Sequence, residues 1–158
     1  MHIEVDISLQ QLLLIKDDKI IKNYVVSTAN NGAGEINGSE KTPRGEHIVR
    51  AKIGTNMPIS TVFVGRRPTG EYYSRQLKQK QPERDWILTR ILWLSGTELG
   101  KNRLGNVDTM RRFIYIHGCP EEDEVGVPGS HGCIKMRNKD ILELYELVPY
   151  GTRVIIHE

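Results

Sequence analysis

The sequence predicts a mainly β domain with one main helix, built as an antiparallel sandwich or a barrel-like pair of sheets. Three observations carry this. Residues 2–7, His-Ile-Glu-Val-Asp-Ile, alternate strictly between polar and apolar, the pattern of a half-buried strand. Residues 86–94 are apolar on both faces, as a strand in the middle of a core must be. Only Ile141, Leu144, Tyr145 and Val148 recur at convincing helical spacing.

Taken in order, strands are expected at 2–7, 10–16 and 20–27, the last two joined by a tight turn at Asp17-Asp18-Lys19. Residues 30–41 are rich in Gly, Asn and Ser and read as a loop. Thr42-Pro43-Arg44-Gly45 is a turn into a strand at 47–52. A short strand at 61–64 precedes a turn at 66–70, and 73–84 is polar and irregular. The whole of 66–84 is long enough to serve as a lid. After the apolar strand at 86–94, residues 96–111 read as loop and 112–117 as strand. Asn138 is expected to cap the helix, with Asp140 in its first turn. Pro149-Tyr150-Gly151 stops it, and 152–157 is a closing strand.

The 158 residues fit one domain, 1–158, with a single core. Lys and Arg total 22 against 20 Asp and Glu, so there is no global nucleic-acid footprint. No segment approaches the length needed to span a bilayer, so no membrane partner is expected. The N-terminus carries none of the parts of a secretory signal. If Met1 is the natural start, a cytoplasmic protein is expected; otherwise a periplasmic one.

The chemistry is expected at a doubled tripeptide. His117-Gly118-Cys119 closes the strand at 112–117, and His131-Gly132-Cys133 opens the next element. Together they hold both cysteines and two of the five histidines. A thiol and an imidazole joined by a short excursion make either a nucleophile–base pair or a metal site. For the first, His117 stands at the end of a rigid strand and Cys133 sits beside a glycine, where the backbone comes close to a substrate. The natural pair is therefore Cys133 with His117. For the second, His117, Cys119, His131 and Cys133 offer a tetrahedral zinc set, at a spacing tighter than finger ligands use. A Cys119–Cys133 disulfide, inert buried thiols, and a binding module without catalysis are further readings. A peptide-terminal carboxylate would need a cation. Arg66, Arg67, Arg90, Arg112, Lys135 and Arg137 are available, and Arg90 is preferred because it interrupts an apolar strand.

His117-Gly118, then Ser130-His131-Gly132-Cys133-Ile134-Lys135-Met136-x-Asn138-x-Asp140, resembles the active-site signature of the YkuD-type L,D-transpeptidase catalytic domain. Ser27-Thr28-Ala29, Thr42-Pro43-Arg44-Gly45-Glu46-His47-Ile48 and the closing 148–154 stretch are similar to further segments of that family, so the resemblance runs over about 3–157. Ala29 stands in place of a usual Gly and His47 in place of a usual aromatic. The resemblance implies an L,D-transpeptidase-like β-sandwich with no cofactor and no resident metal. It implies Cys133 as nucleophile, His117 as base, the Gly118 carbonyl orienting the His117 ring, and Ser130, His131 and Gly132 shaping the pocket, with the Gly132 and Cys133 amides at the oxyanion. Arg90, Lys135 and Arg137 are the expected substrate-binding cations. Its implied substrates are peptidoglycan stem peptides or muropeptides. With no export signal, trimming of tetrapeptides to tripeptides in peptidoglycan recycling is the expected activity (L,D-carboxypeptidase), with cross-linking or D-amino acid exchange (L,D-transpeptidase) as the alternative.

Overall fold

The computed structural model describes residues 1–158. The chain opens with a meander, β1 (His2–Asp6), β2 (Gln11–Lys16) and β3 (Lys19–Ser27). The β2–β3 turn is Asp17-Asp18, both left-handed at φ 51° and 61°, the conformation that matches the twist of two paired strands. After the loop come β4 (Gly45–Ile53) and the hairpin β5 (Thr61–Val64) and β6 (Arg67–Tyr72). Then follow a short helix α1 (Arg75–Lys80), the long strand β7 (Ile87–Gly96), β8 (Tyr115–Gly118), β9 (Ile134–Met136), the main helix α2 (Asn138–Leu147) and β10 (Arg153–His157).

All ten strands form one sheet in the order β4-β10-β1-β2-β3-β9-β8-β7-β5-β6, with β4 also pairing β7. The second pairing closes the sheet on itself, so its two halves face each other as the expected sandwich does, and β5–β6 hangs from β7. Most neighbours are antiparallel; β1–β10 and β8–β9 are parallel.

Alternation fills the interior. Ile3 and Val5 of β1, Leu12 and Leu14 of β2, Ile116 of β8, and Ile134 and Met136 of β9 form one buried cluster with Ile141, Leu144, Tyr145 and Val148 on and just beyond α2. Each such aliphatic side chain contributes about 1.5–3 kcal/mol when fully buried. The opposite face of β7 and β8 carries Ile91 and Tyr115, which pack with Phe63 of β5, with Trp93 and Cys133 against them.

Four expectations need correction. The turn at 66–70 is only Gly65-Arg66, and β6 begins directly after it because Val64 pairs Arg67. The polar stretch 73–84 contains α1, started by Ser74, whose Oγ accepts the Leu77 amide. The strand expected at 112–117 begins at Tyr115, because Asp108 accepts the Arg111 amide and turns the chain there, with Phe113 left-handed at φ 57°. Asn138 does not cap α2. The cap position is Arg137, which makes no side-chain bond, and the Asn138 amide is used across the sheet instead.

Candidate active site

The parallel β8–β9 register aligns Ile116 with Ile134 and His117 with Lys135. Side chains alternate, so Ile116, Ile134 and Met136 point into the core. Tyr115 and His117 share the other face with Cys133 and Lys135. Cys133 and His117 are thus diagonal neighbours on one face of adjacent strands, and both line one cavity of about 460 Å³.

The Cys133 loop is held from below. The Ser130 and Gly129 amides both donate to the Thr28 carbonyl, and the Asn30 amide to that of Ser130. Thr42 Oγ1 accepts the Ala29 amide and donates to the Gly132 carbonyl, each at 2.9 Å. Gly132 is left-handed at φ 131°, and a Cβ there would come 3.3 Å from the Lys41 carbonyl oxygen. Arg112 fixes that wall by donating to the Gly34, Glu35 and Lys41 carbonyls and to Ser39 Oγ.

His117 is fully buried, and its Nδ1 lies 2.6 Å from the Gly118 carbonyl oxygen. A carbonyl only accepts, so Nδ1 carries the proton and Nε2 keeps the basic lone pair. Burial lowers the His117 pKa, against the pull of the Gly118 carbonyl. Burial pushes the Cys133 thiol up to about 12, against the Tyr115 amide, which donates to Sγ at 3.3 Å. The thiol itself donates to the Phe113 carbonyl at 3.3 Å. Burial thus works against the charged form of both groups, thiolate and imidazolium alike.

The Cys133 amide makes no hydrogen bond within the chain and is free for an oxyanion. The Gly132 amide, the second expected donor, is taken by Ser130 Oγ at 3.2 Å. Ser130 Oγ also donates to the Cys133 carbonyl, so its role is to shape the loop.

A model of the YkuD family, the L,D-transpeptidase catalytic domain, matches residues 1–156. The chain belongs to the YkuD family. Among curated YkuD-family relatives, YkuD of Bacillus licheniformis, named as an L,D-transpeptidase, is 29% identical over 160 residues, spanning 98% of this chain and 64% of that protein. YkuD of Bacillus subtilis, so named too, is 38% identical over 90 residues, 57% of this chain and 44% of that one. The chain therefore spans less than two thirds of these relatives. L,D-transpeptidase 3 from Mycobacterium tuberculosis shares the fold at TM-score 0.59 and 18% identity, over 99% of this chain and 60% of that one. An L,D-transpeptidase from Mycobacterium smegmatis does so at 0.58 and 18%, over 99% and 58%.

Against this YkuD-family frame, Cys133, His117, Ser130 and His131 all line the cavity, and Gly118 and Gly132 lie next to it in the chain. His131 stands exposed at its edge, Nδ1 3.9 Å from Asp85 Oδ1. Three expected substrate cations do not line it. Arg90 is buried elsewhere, donating to the Met57 and Thr89 carbonyls, because the apolar strand it interrupts turns it toward backbone. Lys135 pairs with Asp123 at 3.1 Å in an adjoining cleft lined also by Ser130 and His131. Arg137 is exposed at the start of α2.

The two cysteines are apart. Cys133 is level with Tyr115, and Cys119 lies beyond the end of β8, roughly 13 Å along the strand, too far for a disulfide. The buried Cys119 thiol donates to the Met136 carbonyl. With His131 turned outward, the four expected zinc ligands do not converge, and no three His, Cys, Asp or Glu side chains are placed to share a metal ion. The aromatic wall of Trp93, Phe113 and Tyr115 beside Arg66 was not legible as a site. Trp93 reads as core, and Phe113 and Tyr115 read as part of a strand some twenty residues further on.

Proposed function

We propose that this chain is a cysteine-dependent acyl-transfer enzyme acting on peptidoglycan stem tetrapeptides at the bond between the L-centre of the diamino acid and a terminal D-alanine. One observation supports this above the rest: the Cys133 thiol and the free lone pair of His117 open into one cavity from adjacent strands.

In the reaction, Nε2 of His117 takes the Cys133 proton as the sulfur attacks the scissile carbonyl. The Tyr115 amide offsets charge on the sulfur, and the Cys133 amide receives the oxyanion. Collapse breaks the C–N bond, D-alanine leaves with the proton from His117, and a Cys133 thioester remains. Water entering next, with His117 removing its proton, releases the tripeptide and restores the thiol. This is the L,D-carboxypeptidase outcome. An amine entering instead gives the cross-link or the exchanged D-residue, the outcome for which the family is named.

Free tetrapeptide is incubated with the protein, with and without excess D-methionine. Tripeptide as the main product in both conditions supports hydrolysis; a D-methionine product in excess moves the assignment to transfer. Intact-protein mass spectrometry reads the acyl adduct, and Cys133→Ala is expected to lose both adduct and turnover. Turnover surviving in Cys133→Ala would end the proposal.

A further inference from the structure

Arg66 occupies an unusual place. It is the second residue of the two-residue β5–β6 turn, where Gly65 and Arg66 have φ 56° and 63°. The second position of such a turn is normally Gly or Asn, because a left-handed backbone strains a residue with a long side chain. The turn throws the guanidinium back over the cavity mouth. It stacks on Trp93 at 4.4 Å and on Phe113 at 5.0 Å from the ring centres. Phe113 is itself left-handed, and more than half exposed. Two strained residues therefore meet at one edge of the cavity.

The guanidinium has no carboxylate partner anywhere in the chain. Its only hydrogen bond runs from one terminal nitrogen to the Tyr115 hydroxyl at 2.9 Å, leaving its other N–H groups unpaired. Tyr115 is the link to the chemistry: its backbone amide donates to Cys133 Sγ while its hydroxyl holds Arg66. Cys133 and the cation stand at the backbone and side-chain ends of one residue, on one cavity. The carboxylate on that wall, Asp85, faces His131 at 3.9 Å and makes no ion pair with Arg66. Arg112, the other arginine on the wall, has its terminal nitrogens committed to backbone carbonyls and Ser39.

We propose that Arg66, pre-oriented by Trp93, Phe113 and Tyr115, binds the terminal carboxylate of the D-residue that leaves, and so sets the preference for peptides ending in a free acid. This rests on the acyl-transfer reading and names the group that recognises its substrate. A planar, stacked guanidinium is suited to a carboxylate because it presents paired N–H groups in a fixed fork. The carboxylate lies a few bonds from the scissile carbonyl, which matches a cation one tyrosine away from the thiol.

The test separates recognition from turnover by using Cys133→Ala as the binding form. A tetrapeptide with a free C-terminus, the same peptide as the C-terminal carboxamide, and one amidated instead at an internal carboxylate are titrated by calorimetry. The free acid is expected to bind about tenfold to a hundredfold more tightly than the C-terminal amide, the range of a charge-assisted hydrogen bond. Arg66→Gln should abolish that preference and Arg66→Lys should retain part of it. Amidation at the internal carboxylate should leave the preference intact. A preference that survives Arg66→Gln, equal binding of acid and C-terminal amide, or internal amidation reproducing the Arg66→Gln loss would each overturn the assignment. Binding is read without chemistry, so these outcomes are distinct from loss of the thioester in the turnover experiment. Unchanged circular dichroism of Arg66→Gln confirms that the variant is folded.

Discussion

Asn138 is the place where the main helix is fastened to β7 and to the chain just past β8, and its loss should be felt as a defined amount of stability. Its side chain is buried, and its Nδ2 donates to the Cys119 carbonyl at 2.9 Å and to Glu121 Oε1 at 3.0 Å. Its Oδ1 accepts from Thr89 Oγ1 at 2.7 Å. Asn138→Ala removes all three. Glu121 is exposed, so water replaces that bond at little cost. The Cys119 carbonyl and the Thr89 hydroxyl are buried, and each lost partner costs about 1–2 kcal/mol, giving about 2–4 kcal/mol together. A chain of this size shifts by about 2–4 °C per kcal/mol, so a fall in Tm of about 5–15 °C is expected by circular dichroism at neutral pH. A fall below about 2 °C would show that water fills the site and that the side chain fastens nothing. Asn138→Asp makes the same point with almost no change in shape. It sets an acceptor against the Cys119 carbonyl and a charge against Glu121, and should fall at least as far.

Other outcomes follow from the buried charges and the loop contacts. The Cys133 thiol is pushed up to about 12, so its alkylation by iodoacetamide in the resting protein should be slow at pH 7 and keep rising through pH 9; a plateau from pH 6 to 8 would instead reveal a preformed thiolate–imidazolium pair. Burial lowers His47 to about 4 and depresses His117 as well. The unfolded chain binds protons below about 6.5 that the folded rings refuse, so stability is full above that pH and, for His47, falls by about 1.4 kcal/mol per pH unit as the pH drops toward 4, His117 acting in the same direction. Urea unfolding at pH 7, 6 and 5 should show this, with a smaller slope in His47→Phe; an unchanged slope would remove His47 from the account. Arg112→Lys cannot span the carbonyls of Gly34, Glu35 and Lys41, and should cost about 1.5–3 kcal/mol. Amides of the 33–42 loop should then exchange faster, and unchanged exchange would count against the bracing role.

Much of the fold was open to reading because alternation and apolar runs depend on nearby residues. β1, β2, β3 and β7 fall close to where their patterns place them, and so does α2. What escaped was set at a distance. Asn138 looks like a helix cap, but the chain just past β8 offers a buried carbonyl, and that partner wins. The start of β8 was placed too early because the Asp108 turn that delays it cannot be seen in an apolar run. Cys133 and His117 could be picked out together because the doubled tripeptide marks them, and the parallel register brings both onto one cavity. Arg66 was one cation among six. Its position depends on β5–β6 folding back over residues from two other parts of the chain, and Arg90, chosen for interrupting an apolar strand, is explained by backbone carbonyls.

The parallel course of β8 and β9 means that His117 and Cys133 are joined through the chain only by residues 118–132, a detour whose acidic tip is largely exposed. Each flanking strand has its own outer neighbour, β8 on β7 and β9 on β3. A protease that severs the peptide at Glu124 would therefore leave the sulfur and the ring on separate fragments that the sheet still holds side by side. Such a two-piece enzyme, reassembled from halves expressed apart, would owe its working geometry to lateral hydrogen bonding and none of it to chain continuity.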